Sequence, residues 1–125
     1  MSRVALVEDN PDNRLLVTAL LAEVDHETVE FDSGEAALAG LAEASVDIIL
    51  LDISLPQMSG LEVLTRLRSD PELSSIPVVA LTAHAMADDR AHYLASGFDA
   101  YVAKPILDEN DLFGAIDRLI GKARA

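Results

Sequence analysis

Cysteine is absent from the 125-residue chain, which excludes disulfides, thiolate catalysis and Cys-ligated zinc or iron. Long apolar runs are also missing. No stretch approaches the roughly 18 consecutive apolar residues of a membrane helix, and the first residues lack the pattern of a secretory signal. Basic residues are few, 9 against 22 acidic ones, and the net charge of −13 repels nucleic-acid phosphates and anionic lipids. These absences leave oxygen and nitrogen chemistry and predict a cytoplasmic protein that binds neither nucleic acid nor membrane.

The length and the 50% apolar content predict a single domain over residues 1–125, with one core and no attached output domain. Short apolar runs alternate along the chain with longer stretches in which apolar residues recur every three or four positions. Strands separated by helices of this length pair in parallel through right-handed crossovers, so we expect an α/β fold, a doubly wound (βα)5 sheet. The predicted strands are residues 4–7, 28–31, 47–51, 77–81 and 100–103.

Each of the first three helical stretches carries one apolar stripe that we expect to be buried. The stripes are Leu16, Leu20 and Val24; Ala37 and Leu41; and Leu61, Leu64 and Leu67. Helix starts are predicted at Asn10 with Pro11, at Ser33 and at Asp108, a helix stop at Gly97, and the last helix at about 112–122.

The fourth helix is expected to present two different faces. Met86, Arg90 and Tyr93 share one of them, which we interpret as exposed and available to a partner, or as an ordinary solvated face. The opposite face is a stripe of small residues and one leucine, namely Ala87, Ala91 and Leu94.

Polar or charged side chains end four of the five predicted strands. Glu8 and Asp9 follow the first, Asp52 the third, Thr82 the fourth and Lys104 the fifth. Ligands bind at the carboxyl ends of open parallel sheets, so these residues are candidates for one site. A carboxylate pair about 4 Å apart repels by about 4 kcal/mol at an effective dielectric constant near 20, and Lys104 supplies a single positive charge. An all-oxygen, acidic site of this kind predicts bound Mg²⁺.

Four segments together resemble the motifs of the CheY-like response-regulator receiver domains, including the single-domain members of that family. The segments are EDN at 8–10, LDISLPQMSG at 51–60, ALTA at 80–83 and YVAKP at 101–105. They stand in the family's order, and the resemblance covers essentially the whole chain. As a set they are specific, whereas each segment alone would be a weak signal. The resemblance implies a flavodoxin-like sheet with the strand order 2-1-3-4-5.

The resemblance also implies roles for the residues at the strand ends. Asp52 matches the aspartate that accepts a phosphoryl group. Glu8 and Asp9 match the acidic pair that holds Mg²⁺ together with Asp52, and the backbone carbonyl of Ser54 completes the protein ligands. Lys104 matches the lysine that pairs with the phosphoryl oxygens, so that the site works by positioning and charge neutralisation.

Three further positions match the family's switching parts. Thr82 matches a hydroxyl that turns toward the new phosphoryl oxygen, and Tyr101 matches an aromatic rotamer switch, so that the face formed by helix 4, strand 5 and helix 5 is altered. Pro105 matches a structural proline whose preceding peptide bond is cis in the family. Ser54 and His84 match variable positions that tune the lifetime of the phosphorylated state.

The function that follows is a phosphorylation-dependent interaction switch. A histidine kinase or histidine phosphotransfer protein donates the phosphoryl group, and a downstream protein target reads the result. The chain catalyses at most its own phosphorylation and dephosphorylation, so we do not classify it as an enzyme. A shuttle role that passes the group onward remains open.

Two alternatives come from other functional classes. One is a pseudo-receiver that docks without being phosphorylated, although the intact set of polar residues argues against it. The other is a haloacid-dehalogenase-type phosphatase, which requires a second aspartate where this chain has Ser54.

Overall fold

Five strands alternate with five helices among the residues that the computed structural model describes, which are 2–83, 87–104, 106 and 108–124. The strands are β1 (Arg3–Val7), β2 (Glu27–Phe31), β3 (Ile48–Asp52), β4 (Val78–Thr82) and β5 (Ala100–Ala103). The helices are α1 (Pro11–Glu23), α2 (Gly34–Ala44), α3 (Gly60–Ser69), α4 (Ala87–Ala95) and α5 (Glu109–Arg124).

All five strands pair in parallel in the order β2-β1-β3-β4-β5, which confirms the predicted doubly wound fold. Each observed strand begins and ends within one residue of its predicted position. In this order the direction in which successive strands are added reverses between β1 and β3, and sheets of this kind bind ligands beside the carboxyl ends of the strands at that point.

Two apolar layers cover the sheet. Side chains of α1 and α5 pack on one face, and side chains of α2, α3 and α4 pack on the other. Every residue of β3 and of β4 is buried, which explains why these strands are unbroken apolar runs instead of alternating ones. The central strands therefore form the most deeply buried part of the chain.

The helix starts predicted at Asn10 and Ser33 are confirmed by side-chain caps, whereas the last helix is longer than the predicted 112–122 and spans Glu109–Arg124. The Asn10 side chain accepts hydrogen bonds from the backbone of Asp12 and Asn13, and the Ser33 hydroxyl accepts one from Ala36. Gly97 has a φ of +113° two residues beyond the end of α4, the left-handed conformation that glycine adopts most readily.

The buried stripe of α1 differs from the predicted one. Val17 and Leu21 are buried, whereas Leu16 is 44% exposed and Val24 also lies at the surface. The sequence offers two overlapping stripes because Leu15, Leu16 and Val17 are consecutive apolar residues, and packing on the sheet uses the later one. The stripes predicted for α2 and α3 do pack into the core.

The exposed face predicted for α4 is wrong at Tyr93, which is buried in the core at 6% exposure. Leu94, predicted on the opposite face, is exposed. The physical reason is a packing contact with the segment just beyond the helix, because the Tyr93 ring packs edge-on against Phe98, with 6.3 Å between the ring centroids. Arg90 is exposed, and Met86, the third residue of that predicted face, lies outside the described residues.

Among the described residues, every helix is too short or too polar to cross a membrane. Pro105, with its predicted cis peptide bond, and His84 also lie outside the described residues.

Candidate functional site

Three carboxylates meet at the carboxyl ends of β1 and β3. Glu8 and Asp9 directly follow β1, Asp52 is the last residue of β3, and each offers an oxygen within 4.8 Å of the other two. Glu8 and Asp52 are buried, at 1% and 2% exposure, whereas Asp9 is exposed. The cluster therefore has a buried floor of two carboxylates and an open side toward solvent at Asp9.

Lys104 provides the positive charge that faces this cluster. Its ammonium nitrogen lies 3.1 Å from a carboxylate oxygen of Glu8 and 3.1 Å from Oδ2 of Asp52. The Lys104 backbone N–H donates to the carbonyl of Thr82 at 2.8 Å, which extends the β4–β5 pairing by one step and aligns the lysine with the site. The site therefore combines three carboxylates with one ammonium group.

The environment shifts the pKa of two of these groups. Burial, reinforced by the hydrogen bond to Asp52 and by its charge, raises the pKa of Glu8 from its ordinary 4.5 to about 7, although Lys104 opposes the rise. For Lys104, burial lowers the pKa, but hydrogen bonds to Asp52 and Glu8 outweigh it and leave the pKa raised. The ammonium is thus held in its charged form, and the carboxylate cluster carries more negative charge than its surroundings accommodate.

Both oxygens of Asp52 are fixed by neighbouring groups. Oδ1 accepts a hydrogen bond of 3.0 Å from the backbone N–H of Ser54, and Oδ2 faces Lys104. Gly60, at the start of α3, lies against the same strand end, and its backbone N–H donates to the Ile53 carbonyl. A Cβ added to Gly60 would lie 2.6 Å from the carbonyl oxygen of Asp52, so the close approach of α3 to Asp52 requires glycine here.

Arg14 of α1 supports the loop that carries the acidic pair. One guanidinium nitrogen donates to the backbone carbonyls of Glu8 and Asp9, at 2.9 and 3.1 Å, and Nε lies 3.6 Å from Glu30 of β2. Sequence reasoning missed this residue. The signal that could have found it is a lone arginine in the first turns of the helix that follows an acidic loop.

Thr82 is completely buried at the end of β4, and its hydroxyl lies 3.1 Å from the hydroxyl of Tyr93. Tyr101 lies apart from the carboxylate cluster, in the middle of the β5 edge strand. Its half-buried ring faces the guanidinium of Arg90, 5.0 Å from the ring centroid, and lines a groove of about 470 Å³ between α4 and α5. The strand ends thus bring together Glu8, Asp9, Asp52 and Lys104, while Thr82 and Tyr101 connect to α4.

The donor set fits Mg²⁺. Every candidate ligand is a hard oxygen, the three carboxylates outnumber the one ammonium group beside them, and the exposed side at Asp9 leaves room for the waters that Mg²⁺ retains. The Ser54 carbonyl follows two residues after Asp52 and remains the predicted backbone ligand.

Comparison with known proteins identifies the family. Residues 4–117 match the response regulator receiver domain. The chain belongs to this family. As a receiver domain, it is a module of two-component signalling and not a conventional enzyme.

Curated relatives of this receiver domain include proteins of very different length. It is 45% identical over 103 residues to the polar-differentiation response regulator DivK of Brucella ovis, which covers 82% of this chain and 84% of that protein. It is 41% identical over 107 residues to the sensor protein GacS of Pseudomonas syringae pv. syringae, which covers 83% of this chain but only 12% of GacS.

Solved structures of other receiver domains share the fold. The receiver domain of the sensor histidine kinase PA1611 from Pseudomonas aeruginosa is 31% identical with a TM-score of 0.86, over 96% of this chain and 98% of that one. That structure has a magnesium ion coordinated in its active site cleft. The chemotaxis protein CheY4 of Vibrio cholerae is 25% identical, also with a TM-score of 0.86, over 95% of this chain and 98% of that one.

Proposed function

We propose that this receiver domain accepts a phosphoryl group on Asp52 in a Mg²⁺-dependent reaction and thereby switches its contacts with other proteins. One observation carries the proposal: the carboxylates of Glu8, Asp9 and Asp52 lie within 4.8 Å of one another, and the Lys104 ammonium lies 3.1 Å from two of them. A strand-end aspartate without such neighbours would be an ordinary solvated acid.

In the proposed reaction an oxygen of Asp52 attacks the phosphorus of a phosphohistidine on the donor protein. A new O–P bond forms, the N–P bond breaks, and the imidazole leaves with the bonding electrons and takes up a proton. The Ser54 N–H and Lys104 hold the two carboxylate oxygens before the attack, which limits the orientations that must be searched.

Charge neutralisation is the second requirement, because a phosphoryl group would enter a site that is already negative. Glu8, Asp9, Asp52 and the Ser54 carbonyl would hold Mg²⁺, which supplies positive charge to the phosphoryl oxygens when bound. Lys104 is within reach of Asp52 and would pair with a phosphoryl oxygen attached there.

The proposed donor is a histidine kinase or a histidine phosphotransfer protein, and the proposed reader is a downstream protein that contacts α4, β5 and α5. The relation to GacS and PA1611, each described as a sensor protein or sensor kinase, supports a kinase partner.

The high coverage of DivK supports a stand-alone regulator made of one domain. An immunoblot of native cell extract would test this, because a band far above 13.4 kDa would contradict it. The cytoplasmic location also stays a prediction.

Phosphorylation is tested by incubating the protein with acetyl phosphate, with and without Mg²⁺, and following its mobility in a phosphate-affinity gel. We expect a slower band that requires Mg²⁺ and is lost in Asp52→Asn. Asp117→Asn is the matched control, because Asp117 is an exposed aspartate on α5 and the same substitution there should leave the band intact.

The two negative outcomes have different meanings. A band that persists in Asp52→Asn would assign the phosphoryl group to another residue. If wild type gives no band, binding of Mg²⁺ and beryllofluoride, a phosphoryl mimic, separates fast hydrolysis from absence of the reaction. Without a response to beryllofluoride, the protein would be a docking module that is never phosphorylated.

A further inference from the structure

Tyr93 anchors α4 to the rest of the molecule. Among the side chains that the structure describes on this helix, those of residues 89–95, Tyr93 is the one that is buried. Its ring lies in the core layer beneath α2, α3 and α4 and meets Phe98 edge-on, with 86° between the ring planes. Because interiors are close-packed, the ring cannot slide toward the acceptor site without repacking its neighbours.

The Tyr93 hydroxyl is the polar end of this anchor. It lies 3.1 Å from Oγ1 of Thr82, and both residues are buried. Each hydroxyl has a single proton to donate, and buried hydroxyls without partners are unfavourable. The bond therefore stabilises the rotamer in which the structure places Thr82.

This arrangement competes with phosphorylation if Thr82 turns toward a phosphoryl group on Asp52. Staggered rotamers of threonine place Oγ1 in distinct positions, so the turn carries the hydroxyl away from its partner on the fixed ring. The new bond to a charged oxygen is stronger than the neutral bond it replaces, and the difference can drive the exchange.

We propose that Tyr93 is a positioning residue that holds the Thr82 hydroxyl in its resting place, so that phosphorylation breaks this bond and loosens α4. The inference rests on the proposed phosphorylation of Asp52 and adds a residue that controls its conformational response. Tyr93→Phe keeps the buried ring and removes only the hydroxyl.

The test measures the apparent affinity of the protein for beryllofluoride at saturating Mg²⁺. Removing a bond that favours the resting state should raise the population of the binding-competent state, so we expect Tyr93→Phe to bind about two- to tenfold more tightly than wild type. The chain has two tyrosines and no tryptophan, so fluorescence of this variant reports on Tyr101 alone.

Variants of Thr82 separate positioning from a general structural effect. In a Thr82→Val background the bond is already lost, so adding Tyr93→Phe should leave the beryllofluoride affinity unchanged. In a Thr82→Ser background the hydroxyl is retained, and the gain should reappear. An equal gain in the valine background would show that Tyr93 acts through packing and would overturn the proposal.

Other outcomes are equally decisive. If wild type fails to bind beryllofluoride, the proposed function fails. If wild type binds and Tyr93→Phe binds equally or more weakly, only the role of Tyr93 is refuted. Weaker binding would mean that Tyr93 moves together with Thr82 and keeps their hydrogen bond in the beryllofluoride-bound state.

If Tyr93→Phe does not fold, a measurement on wild type tests the proposal instead. With tyrosine labelled by ¹³C at Cζ, two signals are expected, and the Tyr93 signal should shift on addition of beryllofluoride and Mg²⁺ as its hydroxyl loses Thr82. An unmoved signal would contradict the proposal.

Discussion

Neutralising Glu8 in the metal-free protein should stabilise the fold, by an amount that depends on pH. The carboxyl of Glu8 is buried beside Asp52, and its pKa rises from 4.5 to about 7 on folding. A raised pKa means that the folded state binds the proton more tightly than the unfolded state, so ionisation of Glu8 destabilises the fold. The contribution of Glu8 to the free energy of unfolding therefore falls as the pH rises from 4.5 to about 7, and is constant above that range.

The magnitude follows from the size of the rise. At about 1.4 kcal/mol per pH unit, the shift from 4.5 to about 7 corresponds to about 3 kcal/mol. Glu8→Gln removes the ionisation, so we expect its advantage over wild type to be about 3 kcal/mol larger at pH 8 than at pH 4.5. Glu43→Gln is the matched control, because Glu43 is exposed on α2 and the same change there should alter stability by less than about 0.5 kcal/mol.

The assay is urea unfolding followed by circular dichroism between pH 4.5 and pH 8, in a buffer that contains a chelator. Adding millimolar Mg²⁺ should then stabilise wild type more than Glu8→Gln, because the glutamine is a weaker ligand. A stability difference that is the same at pH 5 and pH 8, or a variant less stable than wild type at pH 8, would refute the electrostatic argument.

Three further substitutions test the supports of the site and of the fold. Gly60→Ala should destabilise the fold by about 1–3 kcal/mol in thermal unfolding, because its Cβ would meet backbone 2.6 Å away. Gly114→Ala is the control and should not destabilise the fold, because the space around Gly114 is open. Equal effects of the two substitutions would contradict the close approach at Gly60. Arg14→Ala should weaken Mg²⁺ binding about tenfold in a titration while exposed Arg66→Ala leaves it unchanged, because only the first holds the acidic loop. Arg68→Met should lower the free energy of unfolding by about 2–3 kcal/mol, since this arginine donates to three carbonyls and a carboxylate; a loss below about 0.5 kcal/mol would exclude that role.

The strands could be predicted closely because burial on both faces leaves a clear pattern. The runs ending at Asp52 and Thr82 contain only apolar residues before the final polar one. In a small domain such a run is typical of a parallel strand that is covered on both faces. The position of the acids followed from the same reading, since parallel strands present their ends at one edge of the sheet.

Periodicity was less reliable for the helices. On α1, the consecutive residues Leu15, Leu16 and Val17 allow two stripes, and the sequence does not say which one faces the sheet. Leu15 is in fact 71% exposed. On α4, Tyr93 is compatible with either an exposed or a buried face because it has an apolar ring and a polar end.

The missed contacts join residues that are separate in the chain or that act through backbone atoms. The bond between Tyr93 and Thr82 depends on how α4 is placed against β4, which local pattern does not specify. Arg14 donates to main-chain carbonyls, and every residue carries one, so no particular residue type marks its partners.

In the proposed switch, the sheet order would also separate the residue that receives the phosphoryl group from the surface that a partner protein contacts. Asp52 ends the central strand, with β1 and β4 bonded on its two sides, whereas β5, which lies nearest to α4, is an edge strand of four residues. Opening of the centre would break the core on both sides, while opening at the margin breaks much less. In the proposed cycle of phosphorylation, Asp52 would thus keep a constant geometry while the edge of the sheet changes its conformation without global unfolding.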